Sequence, residues 1–143
     1  MITIRNAVMA DIEAIVRLNG QELGYAYPEE KAREQLKMLL LDASQKILVA
    51  QCDGETAGYI HAADYLLLYA PKFKNIMGIA VSSAHRRKGI GKALLTAVEV
   101  WARETGAVGV RLVSGGSRTD AHAFYRACGY DGGKTQLNFK KYL

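Results

Sequence analysis

The chain has 143 residues, half of them apolar and only 2 of them proline, which fits one globular domain and excludes a disordered chain. The net charge of +5 predicts a surface that attracts anions, yet the basic residues are scattered apart from one cluster at Arg86–Lys92. That cluster is local and has no interleaved aromatic residues. A small phosphorylated ligand therefore fits it better than a nucleic acid, and we expect no nucleic-acid partner.

The N-terminus and the cysteines bear on location and on metal binding. Residues 1–6 show no basic segment followed by a long apolar stretch, and no apolar window approaches the roughly 20 residues that span a bilayer. We expect no signal peptide, no membrane partner and a cytoplasmic protein. Cys52 and Cys128 stand in apolar surroundings without the spacing of metal ligands, so we expect reduced core thiols and no metal site.

The first part of the chain predicts one strand and two helices. Residues 2–5 alternate as a short strand, and Asp11 is placed to cap a helix that buries its isoleucines at helical spacing. We expect Gly20 and Gly24 to break that helix. Pro28 suits the first turn of a second, amphipathic helix.

The middle of the chain predicts a hairpin. Residues 46–52 and 56–65 are typical of antiparallel partners, and Asp53-Gly54 between them is a strong turn signal. An apolar run, Leu66–Tyr69, continues to a break at Ala70-Pro71. Two interpretations of this run stay open: an exposed lip or subunit contact, or burial of half its residues within the hairpin.

The rest of the chain alternates strands and helices. A short apolar strand leads through the basic cluster into a long helix, whose apolar residues step by three and four from Ile90 to Ala102. Gly106 is a normal stop for that helix. The predicted strands of this part cover residues 75–81, 108–113 and 135–142, and a short helix covers residues 120–128.

This order predicts an α/β (α+β) fold with a mixed, mostly antiparallel central sheet and helices on both faces. The strand, crossover helix and strand between residues 75 and 113 make the fourth and fifth strands a parallel pair. The chain contains no internal repeat, low-complexity segment or linker. We therefore expect a single domain over residues 1–143.

The basic cluster joins a buried strand to the long helix. Gly89 and Gly91 let the backbone approach a ligand closely, and the first N–H groups of the helix have no internal partner. The cationic side chains around these amides are Arg86, Arg87, Lys88 and Lys92. Such a segment suits a diphosphate, although it is neither a P-loop nor a dinucleotide fingerprint. A turn followed by a solvated, charged helix start is the alternative that these residues leave open.

Two segments carry a family resemblance. Arg86-x-x-Gly89-x-Gly91 resembles the acetyl-CoA-binding motif of the GNAT superfamily of N-acetyltransferases. Farther on, Arg118-x-x-Ala121-His122-x-Phe124-Tyr125 resembles the second signature of that superfamily. The resemblance covers essentially the whole chain and implies the acyl-CoA N-acyltransferase fold. Within the superfamily the chain is most similar to small bacterial enzymes with an Ala-His-x-Phe-Tyr box, which include acetyltransferases for aminoglycosides and for aminoalkylphosphonates.

The resemblance implies a reaction and a set of site residues. Acetyl would pass from acetyl-CoA to a primary amine of a small molecule or peptide, by direct attack in a ternary complex. The backbone of residues 79–81 would pair with the pantetheine arm and polarise the thioester carbonyl. Tyr125 would be the general acid that protonates the leaving thiolate. The implied cofactor-binding residues are Ile79, Ala80, Val81, Arg86, Arg87, Lys88, Gly89, Ile90, Gly91, Lys92, Arg118 and Phe124.

The chain departs from the family pattern at two places. Arg118 stands where many members have Asn, and residues 75–79 lack the Glu that acts in many members through water as general base. The side chains left as proton acceptors are His61, Asp64, Glu22 and His122, and bulk water is a further alternative. The missing carboxylate keeps open a second function, a catalytically silent acyl-CoA-binding regulatory module. A homodimer is a further expectation.

Overall fold

The computed structural model describes residues 1–143 in two compact units, Met1–Leu112 and Val113–Leu143. The first unit holds a five-stranded sheet with the strand order β1-β2-β3-β4-β5. Its strands are β1 (Ile2–Asn6), β2 (Gln45–Cys52), β3 (Glu55–Leu67), β4 (Ala70–Val81) and β5 (Gly109–Leu112), and its helices are α1 (Ile12–Leu23), α2 (Glu29–Leu40) and α3 (Ile90–Glu104). The second unit contains the helix α4 (Thr119–Ala127).

The sheet is mixed, as predicted. Successive strands from β1 to β4 pair antiparallel, whereas β4 and β5 pair parallel through the α3 crossover. The hairpin turn between β2 and β3 has positive φ at both Asp53 (52°) and Gly54 (84°). This is the backbone that a tight hairpin requires, so the turn predicted from Asp53-Gly54 is confirmed.

The two faces of the sheet are covered by different helices. Ile47, Val49 and Tyr59 are buried against α1 and α2, where they pack with Ile12 and Leu18. The intervening residues of the strands face α3. A Cβ at Gly58 would lie 2.9 Å from the Ala80 carbonyl oxygen and 3.2 Å from Ile90 of α3, so only glycine lets α3 approach the sheet there. Helices on both faces are confirmed.

Asp11 ties β1 to the start of α1. It occupies the N-cap position as predicted, but its carboxylate makes no cap hydrogen bond to the helix. Instead it accepts two hydrogen bonds from the Arg5 guanidinium, both at 2.8 Å, and one from the Val8 N–H at 2.7 Å. Because the hydrogen bonds from Arg5 stabilise the charged carboxylate, they lower the pKa of Asp11 below its ordinary value.

Two predicted boundaries in the first unit are wrong. Helix α1 continues through Gly20 and ends at Gly24, whose φ of 75° is the left-handed conformation of a helix stop. A glycine inside a helix costs only about 1 kcal/mol relative to alanine, which the packing of α1 against the sheet outweighs. Strand β4 begins at Ala70, five residues before the predicted start at residue 75. Pro71 is tolerated because it stands at the beginning of the strand.

The predicted final strand in the second unit is wrong. Residues 129–143 form no helix or strand, and Leu137, Phe139 and Tyr142 are exposed. Alternation alone supplies one apolar face for a strand, but the strand also needs a partner for its backbone hydrogen bonds. The second unit offers no other strand for that pairing.

The helices also bear on membrane insertion. None of them combines the length and the apolar character that a bilayer-crossing helix requires. Helices α1 and α3 are amphipathic, and their apolar sides pack onto the sheet.

Candidate active site

Strand β4 has a free edge over its last residues. Its parallel pairing with β5 covers only Phe73 to Ile76, and the register with β3 shifts at the next residue, so that Met77 forms a bulge. Residues 78–81 then pair with β3 alone. Half of their N–H and C=O groups point away from β3 and are available to an extended ligand. No local sequence signal predicts the bulge that opens this edge.

The loop that follows β4 presents unused backbone donors. None of the N–H groups of residues 87–92 donates to another group of the protein. Arg87 (φ 65°) and Gly89 (φ 81°) turn the chain into α3, and the buried Ile90 fixes the first helical residue. The left-handed conformation of a non-glycine residue such as Arg87 costs on the order of 1 kcal/mol and is typical of functional segments.

This loop meets the physical requirements of a diphosphate site. The free amides lie at the positive end of the α3 dipole, and the side chains of Arg87, Lys88 and Lys92 are exposed around them. Arg86 is also exposed, at 67%, but it pairs with a carboxylate. Backbone donors supply fixed geometry, and the cationic side chains add mobile charge.

Glu22 at the end of α1 holds this loop in place. One carboxylate oxygen accepts a hydrogen bond from the Ser83 N–H at 3.0 Å, and the other accepts one from Arg86 at 3.3 Å. The Glu22 side chain is only 8% exposed. Because both oxygens are engaged with the loop, Glu22 is a positioning residue in this geometry rather than a free proton acceptor.

Asp64, a second proton-acceptor candidate, is committed to an ion-pair cluster on the α3 face of the sheet. Its carboxylate pairs with the buried Lys74, and Lys72 lies 3.5 Å away. The Lys74 ammonium lies 3.7 Å from the ring centroid of Trp101 in α3. Burial alone would raise the pKa of Asp64, but the hydrogen bonds and charges of the two lysines lower it.

His61 is the candidate closest in register to the free edge. It lies directly across from Gly78 in the pairing of β3 with β4, and it shares a face with Tyr59 because the two residues alternate along the strand. Its Nε2 lies 2.7 Å from the side-chain oxygen of Gln45, and burial lowers its pKa below the ordinary 6.5. With Nε2–H donating to Gln45, the Nδ1 lone pair of a neutral ring is left to accept a proton. Gln45 is not among the site residues predicted from the sequence.

The predicted residues of the second unit gather around α4. The rings of Phe124 and Tyr125 have centroids 5.3 Å apart, and Tyr130 lies 6.4 Å from Tyr125. Burial raises the pKa of Tyr125 above 10, against an opposing effect of the Arg118 charge. The Tyr125 hydroxyl therefore stays protonated throughout the neutral range. His122 is engaged with the Gly115 carbonyl oxygen at 2.8 Å.

The sheet with its free edge, followed by an amide-lined loop at the start of α3, defines the chain as an acyl-CoA N-acyltransferase fold. The model of the Acetyltransferase (GNAT) family matches residues 12–130. The chain therefore belongs to the GNAT acetyltransferase family.

Similar proteins support the same class. The aminoglycoside N(6')-acetyltransferase type 1 of Stenotrophomonas maltophilia is 33% identical over 137 residues, which cover 90% of this chain and 86% of that protein. An N-alpha-acetyltransferase of Sulfurisphaera tokodaii is 35% identical over 101 residues, which cover 66% of this chain and 58% of that protein. These relatives confirm an acyl-CoA-dependent N-acetyltransferase, with acetyl-CoA as its co-substrate.

Solved structures share the fold. The aminoglycoside 6'-N-acetyltransferase AAC(6')-Ih from Acinetobacter baumannii has a TM-score of 0.87 at 20% identity, over 100% of this chain and 99% of that one. The structure of AAC(6')-Iy in complex with the bisubstrate analog CoA-S-monomethyl-acetylneamine has a TM-score of 0.87 at 20% identity, again over 100% and 99%. The predicted fold class is thus confirmed.

Proposed function

We propose that this enzyme transfers acetyl from acetyl-CoA to a primary amine of a small molecule, by direct attack in a ternary complex. The observation that carries the proposal is the continuity between the free edge at residues 78–81 and the amide-lined loop at residues 86–92. An extended thioester arm and a diphosphate need these two features in that order. A peptide amine is the other acceptor class that the same chemistry allows.

We assign the cofactor-binding residues from that track. The backbone of Ile79, Ala80 and Val81 pairs with the pantetheine arm like an added strand. The diphosphate binds the N–H groups of residues 87–91, with charge from Arg86, Arg87, Lys88 and Lys92. Gly89 and Gly91 let the backbone approach, and Ile90 anchors the helix start. We also propose Arg118 and Phe124 as cofactor-binding residues, on the family resemblance of their segment.

The proposed chemical step is a direct transfer of the acetyl group. The amine nitrogen forms a bond to the thioester carbonyl carbon, the C–S bond breaks, and an amide and the CoA thiol are the products. Backbone N–H groups of residues 79–81 stabilise the negative charge that develops on the carbonyl oxygen. The Tyr125 hydroxyl gives its proton to the leaving thiolate. A phenol is a slightly weaker acid than a thiol, so it acts by hydrogen bonding as charge develops on sulfur.

His61 is our proposal for the proton acceptor. A primary amine with a pKa near 10 is only about 0.1% neutral at pH 7, so an acceptor raises the reactive fraction. Both carboxylate oxygens of Glu22 and of Asp64 are engaged with other groups. His61 and His122 each use Nε2 and keep Nδ1, so position decides between them. The position of His61 across from Gly78 suits a role at the start of the free edge.

We propose that residues 1–143 form a single domain. The support is that the GNAT family match runs from residue 12 to residue 130 and so crosses the boundary between the units.

The test of the proposed function is a panel of amines assayed by release of the CoA thiol. The panel includes aminoglycosides, since the Stenotrophomonas maltophilia relative carries that name, together with polyamines, amino acids and short peptides. At least one small amine should release thiol well above the rate of thioester hydrolysis. Release at the hydrolysis rate with every amine would reduce the chain to a silent acyl-CoA-binding module.

We also propose that the enzyme is a cytoplasmic homodimer. The apolar run Leu66–Tyr69 covers the end of β3 and the turn into β4. Leu66 (76%), Leu68 (107%) and Tyr69 (85%) are exposed, so burial within the hairpin does not account for them. Exposed apolar patches of this kind usually mark an interface. Sedimentation should give a dimer that Leu68→Glu converts to a monomer, and a monomeric wild-type chain would contradict the dimer. The buried, reduced Cys52 fits a cytoplasmic location.

A further inference from the structure

Arg111 of β5 is held on two sides by its neighbours in the sheet. Its guanidinium donates a hydrogen bond to the Asn75 side-chain oxygen of β4 at 2.6 Å. The guanidinium carbon also lies 4.2 Å from the ring centroid of Tyr65 in β3. Asn75 is paired with Arg111 on one side and with Ala63 on the other, so the three residues share a face of the sheet. This is the face that carries His61.

No carboxylate neutralises this guanidinium. Arg111 is half-buried and forms no ion pair. Arg5 pairs with Asp11, and Lys74 pairs with Asp64. A guanidinium has five N–H donors, so most of the Arg111 donors stay available after the hydrogen bond to Asn75. Stacked and oriented in this way, it is preorganised for two-point binding of an acidic group.

Arg111 also lies within reach of the proposed reaction site. Asn75, its partner in the sheet, stands three residues before Gly78, which is on the order of 10 Å along a strand. Gly78 opens the free edge of β4 and lies across from His61. An extended acceptor about 10 Å long therefore spans the distance from a reacting amine at Gly78 to an acidic group on Arg111.

We propose that Arg111 binds an acidic group of the acceptor, so that the preferred substrate is a small amine carrying a carboxylate or a phosphate-like group. This inference rests on the proposed function, because it locates the reacting amine at the free edge of β4. It also separates this enzyme from those that take polycationic amines. The unneutralised guanidinium repels a polycation.

Matched acceptors test the proposal. Linear aminocarboxylates of increasing length are compared with their carboxamides, which keep the amine and lose the charge, and with aminoalkyl phosphates and an aminoglycoside. We expect the wild-type enzyme to favour an acid over its amide by about 10- to 100-fold in kcat/KM, the range that one charged pair supplies. The ratio should fall to about 1 in Arg111→Gln and stay intermediate in Arg111→Lys.

Two further variants sharpen the result. Asn75→Asp keeps Arg111 but supplies it with an internal carboxylate at the 2.6 Å contact, so the preference for acids should also disappear. Arg17→Gln removes an equal charge from the exposed side of α1 and should leave the ratio unchanged. Each variant is first shown to bind acetyl-CoA as the wild type does, which controls for folding.

The outcomes separate this inference from the proposed function. A wild-type preference for amides or for the aminoglycoside would overturn the role of Arg111 while leaving amine acetylation intact. So would an acid-to-amide ratio that survives both Arg111→Gln and Asn75→Asp. Failure of every amine in the panel, with or without an acidic group, would instead overturn the proposed function.

Discussion

The carboxylate of Glu22 lies 3.3 Å from the guanidinium of Arg86, although the two residues are 64 positions apart in the chain. The other Glu22 oxygen accepts the Ser83 N–H at 3.0 Å. One acidic side chain at the end of α1 thus fixes the entry to the diphosphate loop and at the same time occupies one of its cations. These two effects act on acetyl-CoA affinity in opposite directions.

Substitutions at Glu22 separate the two effects. Glu22→Gln keeps an oxygen for the Ser83 N–H and frees Arg86. Acetyl-CoA should then bind about 2- to 5-fold more tightly, the size of an ion pair whose guanidinium is exposed. Glu22→Ala also releases the loop and should weaken binding about 5-fold, the size of one hydrogen bond. Calorimetric titration measures both. Equal changes in the same direction would refute the proposed division of roles.

Removing the Tyr125 hydroxyl tests the general acid. Tyr125→Phe should lower kcat by about 100-fold or more, the usual contribution of a positioned acid, and leave the acetyl-CoA dissociation constant within about twofold. Burial raises the pKa of Tyr125 above 10, so the wild-type enzyme should show no loss of kcat up to pH 9 from ionisation of this group. Tyr130→Phe is the matched control on a neighbouring ring. Equal turnover in Tyr125→Phe across the pH range would remove Tyr125 from the mechanism.

The pH dependence of turnover tests His61. Burial lowers its pKa below 6.5, so the ring stays neutral at pH 7 and kcat should fall only at pH values below 6.5, where the imidazole gains its proton. His61→Gln should lower kcat at pH 7 by about 100-fold and abolish that acidic limb. Gln45→Ala leaves the imidazole without its 2.7 Å partner and should cause a smaller loss. An unchanged acidic limb in His61→Gln would assign the proton to another acceptor.

The Arg5–Asp11 pair makes a prediction about stability. Hydrogen bonds from Arg5 lower the pKa of Asp11, so its stabilising effect is fully present above the ordinary carboxyl pKa near 4 and is lost as pH falls through the lower folded value. Asp11→Asn should reduce the free energy of unfolding at pH 7 by about 1 to 3 kcal/mol. Denaturant unfolding at several pH values should show this deficit constant from pH 8 to 5 and shrinking below pH 4. A deficit that persisted unchanged at pH 2 would contradict the ionic origin.

The order of elements was predictable because each one depends on a local pattern. Periodicity placed α3 from Ile90 onward, and Asp53-Gly54 placed the hairpin, as the structure has them. The prediction of a strand at residues 135–142 is wrong because a strand needs a partner strand, and alternation of apolar residues does not specify that partner. The start of β4, predicted at residue 75 and observed at Ala70, was wrong for a related reason, since pairing with β3 extends the strand past Pro71.

The site was predictable where it is contiguous in sequence. The loop at Arg86–Lys92 and the Tyr125 box are runs of neighbouring residues, and both were recognised. Relationships across the sheet were not, because Gln45 meets His61, and Arg111 meets Asn75, only through strand register. The bulge at Met77 depends on the same register and has no local residue signature.

The most direct measurement of the central claim is a calorimetric titration of acetyl-CoA into paired charge variants. Arg87→Ala with Lys88→Ala removes two cations from the amide-lined loop, and Arg17→Ala with Lys37→Ala removes two from exposed positions on α1 and α2. The loop variant should bind acetyl-CoA about 10- to 100-fold more weakly, while the control stays within about twofold of the wild type. Equal weakening in both variants, or none in either, would contradict a diphosphate site at this loop.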